Sequence, residues 1–214
     1  VTNCKPITRF HFARIDPLPE YDAAMSEYIF GTNGLHRRAR RPGLEAIVPA
    51  SPPARLLKPV ESYVCMSAPR VPINLVREML DLARRQRNRT NPVCACSEFV
   101  ETLFFFLWND RESRWTLHVP PQDQTLWSVR ATDTRADSAY ANALIEVHSH
   151  HREKAFFSRA DNVDEVGFRI YGVLGRIFSH PELKVRVSVY GDWWELPASQ
   201  IFELPEEVCE RYGE

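Results

Sequence analysis

Residues 102–108 read Thr-Leu-Phe-Phe-Phe-Leu-Trp, an uninterrupted apolar run that stops at Asn109-Asp110. The run is short for a buried helix. Its aromatic side chains, falling on both faces of an extended chain, suit a strand covered on both sides. A strand of that kind needs partners in its sheet and a layer above and below it. Other segments fit those roles. Residues 115–119 alternate and suit an antiparallel partner, and residues 143–150 (ALIEVHSH) read as a second core strand with a polar end. Residues 168–178 and 184–191 read as two closing strands. Residues 72–86 form the expected helix: Pro72 fits its first turn, and Leu75, Val76, Met79, Leu80 and Ala83 recur at helical spacing. The fold class expected is α/β in the α+β sense, a mixed sheet flanked by few helices.

Two regions are expected. Residues 1–68 read as a small β-rich module with a Pro-rich linker, and residues 69–214 as the principal domain. In the first, residues 27–41 suit a hairpin turning at Asn33-Gly34, with a further strand at residues 44–48. Prolines 42, 49, 52, 53, 59, 69 and 72 follow, and they resist both helix and central strand, which is why the stretch reads as a connection.

Composition sets limits on partners. The 214 residues carry a formal net charge of -1, which gives no general reason to expect nucleic acid or a membrane surface. No apolar run approaches the roughly 18 residues that a membrane span needs. The first twenty residues lack a signal-peptide core, so the chain reads as cytoplasmic. Its five cysteines are an odd number and suit reduced thiols better than a disulfide framework.

The chemistry concentrates at residues 146–161. Residues two apart on a strand share a face, so His148 and His150 present two imidazoles together where the strand ends. Two neutral imidazoles, one carboxylate and a fourth position for water form a catalytic zinc set. Asp161 supplies the carboxylate if the ten residues after His150 fold back. Ser158, three before Asp161, marks a helix N-terminus that would fix Asp161 in a first turn.

His-x-His, ten residues and then Asp, with Ser three before that Asp, resembles the signature of the JAMM (MPN, Mov34/PAD-1) zinc metalloproteases. The likeness runs over residues 71–197. The phrases NGLHRRARRPGLEA, HSHHREKAFFSRADNVDEVGFRIYGVLGR and VSVYGDWWELP further resemble bacterial JAMM proteins encoded beside E1-like and ubiquitin-like genes, the PRTRC system protein A group. The resemblance implies a cofactor, Zn2+, held by His148, His150 and Asp161. It also implies that Ser158 steadies the tetrahedral intermediate and that a glutamate next to the first core strand is the general base. Glu101 directly abuts that strand and is the first choice; Glu98 stands three residues further out, and Glu146 shares the face of His148. The implied activity is a metallopeptidase or isopeptidase acting after the C-terminal residue of a ubiquitin-like protein, its tail bound as substrate. His151 departs from the family, many members having Pro there, and leaves the stiffness of the loop open.

Blander roles stand beside these. Cys94-Ala-Cys96 suits loop thiols better than a second metal site, and residues 36–41 (HRRARR) a solvated hairpin arm better than a nucleic-acid patch. Asp164-Glu165 are expected to favour the helix dipole in a first turn. Trp193-Trp194 suit core packing or a hairpin cap. Two other functions compete with the protease: a catalytically inactive JAMM-fold binding module, and a zinc hydrolase of small peptides or amides.

Overall fold

The computed structural model describes residues 5–14, 17–50, 59–88 and 98–213. It is a mixed α+β, sheet-rich structure. In chain order the elements are β1 (Thr8–Phe12), β2 (Ser26–Gly31), β3 (Gly34–Arg41), β4 (Leu44–Ala50), β5 (Tyr63–Met66), α1 (Ile73–Arg85), β6 (Arg87–Asn88), β7 (Glu98–Phe99), β8 (Leu103–Asn109), β9 (Arg114–His118), β10 (Gln122–Gln124), β11 (Val129–Ala131), α2 (Ala139–Asn142), β12 (Ile145–Ser149), α3 (Arg159–Asp164), β13 (Arg169–Gly175), β14 (Glu182–Val189), β15 (Asp192–Leu196) and β16 (Cys209–Arg211).

The principal sheet has seven strands among the described residues, in the order β15-β14-β13-β12-β8-β9 with β16 also on β14. The run at 102–108 takes the place its composition demands. Phe104 and Phe106 point into the main core against Val76, Met79 and Leu80 of α1, while Leu103 and Phe105 point the other way. Phe104, Phe105 and Phe106 are fully buried, each worth about 1.5–3 kcal/mol over an exposed side chain. β12 runs antiparallel to β8 and parallel to β13, so α3 lies on the crossover between β12 and β13.

The N-terminal sheet has the order β1-β2-β3-β4-β5, with one pairing that the sequence did not suggest and two expectations that change. β1 pairs with β2 in parallel, a contact that carries no local turn signal. Among the prolines, β5 adds an edge strand beside β4, so the stretch is not only a connection. The hairpin closes Gly31 on Gly34, leaving Thr32-Asn33 as its loop, and Gly34 takes the positive φ of 122°.

Residues 36–41 are not a solvated arm. They lie in β3, a central strand, with His36 and Arg38 buried. Arg38 reaches Glu45 at 2.8 Å and Glu27 at 3.4 Å. Arg37 donates to the carbonyls of Val189 and Tyr190 and pairs with Asp192, and Arg41 donates to the carbonyl of Phe168. Arg37 and Arg41 therefore fasten one sheet to the other. The main core likewise draws on both, with Ala39, Leu44, Ala46 and Val48 packed among residues of α1, β8 and β14. Among the described residues no helix is long and apolar enough to cross a membrane.

Candidate metal centre

Pairing in the sheet sets the distances within the site. His148 of β12 lies opposite Leu103 of β8, so the start of β8 and the end of β12 meet. Ser149 and Thr102 tie that junction twice, through Ser149 N–H to the Thr102 carbonyl at 3.0 Å and Thr102 N–H to Ser149 Oγ at 3.0 Å. Glu101, one residue earlier, is thereby held beside the histidines. His150 is pinned on the other side by its own N–H, which donates to the Leu174 carbonyl of β13 at 2.8 Å.

Asp161 arrives by way of α3. Ser158 is the N-cap: its Oγ accepts from Asp161 N–H at 3.2 Å, while Ser158 N–H donates to Asp161 Oδ2 at 2.5 Å, a complete capping box. That pairing leaves Oδ1 to face His148 Nε2 at 3.7 Å. The Ser-x-x-Asp spacing thus places Asp161 as expected. Because Ser158 Oγ serves the cap as an acceptor, its own hydrogen stays free to donate.

The two His Nε2 atoms are 3.2 Å apart, and ligand atoms of His148, His150 and Asp161 all lie within 4.8 Å of one another. Zinc at bonds of 2.0–2.1 Å in a tetrahedron would set ligand atoms about 3.3 Å apart. The donor set suits that ion, and the two separations about His148 Nε2, 3.2 and 3.7 Å, come near that edge. His150 Nδ1 sits 3.3 Å from the Lys154 carbonyl; donation of Nδ1–H there would leave the Nε2 lone pair facing the centre. Burial holds both rings below the ordinary imidazole range, so both are neutral near pH 7.

Glu101 is 8% exposed and its Oε1 lies 3.8 Å from His150 Nε2. Burial first, then the negative charges of Asp161 and Glu153, pushes its carboxyl up to about 8. Glu98 lies on β7, paired through its backbone with β6; its side chain is outside the described residues, as are Cys4, Cys94 and Cys96. Glu146 lines the same cleft but its Oε2 is taken by Arg169, 2.8 Å distant. The cleft above the centre has a volume of about 250 Å³ and is bordered by Glu101, Ser158 and the segment Trp127 to Arg130 from the β10–β11 ribbon.

One expectation at the site is overturned. Asp164 and Glu165 lie at the end of α3, not in its first turn, because Ser158 starts the helix and Arg159–Asp164 completes it. Glu165 is buried instead, with Oε2 held by Arg186 and Oε1 3.7 Å from His148 Nδ1. Burial pushes its carboxyl up to about 8 against the pull of Arg186. Arg186, 21 residues further along, had no local signal to mark it. Trp193 also belongs here: its indole N–H donates to the Glu165 carbonyl at 3.0 Å.

The loop that returns from His150 to Ser158 is braced without a proline. Arg176 N–H donates to the Glu153 carbonyl and Ile177 N–H to that of His151, at 2.7 and 3.0 Å. It also crosses directly over Gly175, where a Cβ would stand 2.5 Å from the Lys154 carbonyl carbon and nearer still to Ala155 N. Gly175→Ala should therefore lose about 1–3 kcal/mol of stability through overpacking against rigid backbone. It should also weaken zinc binding by moving the Lys154 carbonyl away from His150. Urea unfolding beside a zinc titration checks both effects, and a variant as stable as wild type refutes the close crossing. Neither the models of known protein families nor the curated protein sequences match this chain, so a functional assignment has to be built from the chemistry of these side chains.

Proposed function

We propose that this chain is a zinc-dependent peptidase or isopeptidase of the JAMM type that processes or deconjugates a ubiquitin-like protein. The observation that supports the reading most directly is the meeting of His148 Nε2, His150 Nε2 and Asp161 Oδ1 beside a buried carboxylate that belongs to none of them. Bound there, zinc supplies Lewis acidity, which polarises a carbonyl and acidifies a water.

The chain's own groups divide the remaining work. His148, His150 and Asp161 hold the ion. Glu101, through the carboxylate that faces the cleft, accepts the proton of the attacking water and delivers it to the departing amine nitrogen. Ser158, with its hydroxyl hydrogen free, donates to the carbonyl oxygen as that oxygen gains negative charge. The β10–β11 ribbon borders the cleft. A main-chain edge of this kind suits an extended tail, because it aligns a scissile carbonyl without reading much side-chain identity.

The test is cleavage. A fusion carrying a downstream protein after the C-terminal Gly of a cognate ubiquitin-like protein should be cut at that Gly by the wild type. The cut should vanish with a chelator, return with zinc, and be absent in His148→Ala. Zinc bound without any cleavage would favour the binding-module reading.

A further inference from the structure

We infer that Glu165, clamped by Arg186, is a positioning residue that orients the His148 ring toward the cleft, an inference that rests on the metal-centre reading above. His150 has a backbone carbonyl, that of Lys154, to face its far nitrogen. For His148 the group in that place is a carboxylate: Glu165 Oε1 lies 3.7 Å from Nδ1, on the side of the ring away from His150 and Asp161. Nδ1–H donating to Oε1 leaves the Nε2 lone pair facing the centre, which is the tautomer a metal needs.

What distinguishes Glu165 from an incidental neighbour is how firmly it is held. Arg186 donates to Glu165 Oε2 from Nε at 2.9 Å and from Nη2 at 2.5 Å, so that one oxygen is occupied and the other remains directed at His148. The guanidinium is itself fixed from every side. Its Nη1 donates to Asn162 Oδ1 at 2.6 Å, the Phe157 ring lies 3.9 Å from its carbon and the Trp193 ring 5.0 Å. Arg186 is 4% exposed and Glu165 5%. A buried guanidinium is costly unless it is closely partnered, and Nε, Nη1 and Nη2 of Arg186 each have an acceptor here. The same clamp reaches Asn162 and Glu165, which flank the stretch of chain just beyond Asp161. One arginine of β14 therefore acts on the ring of His148 through Glu165 and on the helix carrying Asp161 through Asn162.

The experiment uses the full chain and two readouts. Long-range ¹H–¹⁵N spectra of zinc-free protein report the His148 tautomer, and competition with a chromophoric chelator gives zinc affinity. Wild type should hold His148 with its proton on Nδ1. Glu165→Ala should mix or invert the tautomers and weaken zinc about 10–100-fold. Glu165→Gln, which keeps an acceptor oxygen, should recover most of that loss, whereas a purely structural role would not be rescued in the tautomer spectrum. A Glu165→Ala variant that keeps both the wild-type tautomer and zinc affinity within twofold overturns the inference while leaving the metal centre intact. If wild type binds no zinc, the metal reading falls, and the tautomer in zinc-free protein still decides the role of Glu165.

Discussion

Glu101→Gln should keep zinc bound and the fold intact while lowering turnover by about 10²–10⁴-fold, the range expected when a positioned acid or base is lost. The substitution keeps size and shape but removes the proton acceptor. No ligand is touched, since the three candidate ligand atoms come from His148, His150 and Asp161. Stability should hold or rise slightly, because an amide avoids the cost of burying charge that pushes the Glu101 carboxyl up to about 8. The positive charge of a bound cation pulls the same carboxyl back down, which poises it between taking and giving a proton near neutral pH. Glu98→Gln is the control, one strand removed on β7, and should retain activity. Cleavage kinetics of a ubiquitin-like fusion, with zinc content and melting temperature measured on the same samples, decide the matter. An inactive Glu98→Gln beside an active Glu101→Gln would transfer the role of base.

The ease with which the site can be read from the chain follows from how local its signals are. His148 and His150 share a strand face, and Ser158 caps the helix that carries Asp161; both relations act over a few residues and appear directly as spacing. The strand at 102–108 is legible for a related reason, since six successive apolar side chains, Leu103 to Trp108, can be satisfied only by cover on both sides. Glu101 is intermediate: its place beside the strand is local, but its 3.8 Å approach to His150 depends on β8 pairing with β12. Glu165 and Arg186 carry no local sign because their partnership spans 21 residues, across β13 and the turn into β14. Reading Asp164-Glu165 as dipole acids failed because Asp161 already fills that role in a six-residue helix. The arginines of β3 misled for the opposite reason. A local run of charge suggests solvent, while the partners of Arg37 and Arg41, Asp192 and the Phe168 carbonyl, come from distant parts of the chain. The ribbon of β10 and β11 escaped notice because Gln122–Gln124 is polar and carries no alternation to read.

Replacing both histidines should have the largest effect of all: wild type should bind about one zinc per chain and His148→Ala/His150→Ala none. Each ring is buried and neutral, and each contributes one of the three donors, so of those three the double variant keeps only the Asp161 carboxylate, already tied to the Ser158 N–H. One carboxylate oxygen gives zinc no chelate and no soft or imidazole partner. Elemental analysis after gel filtration measures the stoichiometry. Because removing two buried rings also leaves a cavity, stability supplies an independent readout that does not depend on the variant being as stable as wild type. Zinc at 100 times its dissociation constant should stabilise the wild-type fold by about 2.7 kcal/mol through mass action, a gain that chelation removes. The double variant, whatever its starting stability, should show no difference between zinc and chelator. Equal zinc in the two proteins, or an equal stabilisation by zinc, would mean that the ion sits elsewhere and that His148, His150 and Asp161 meet for a structural reason alone.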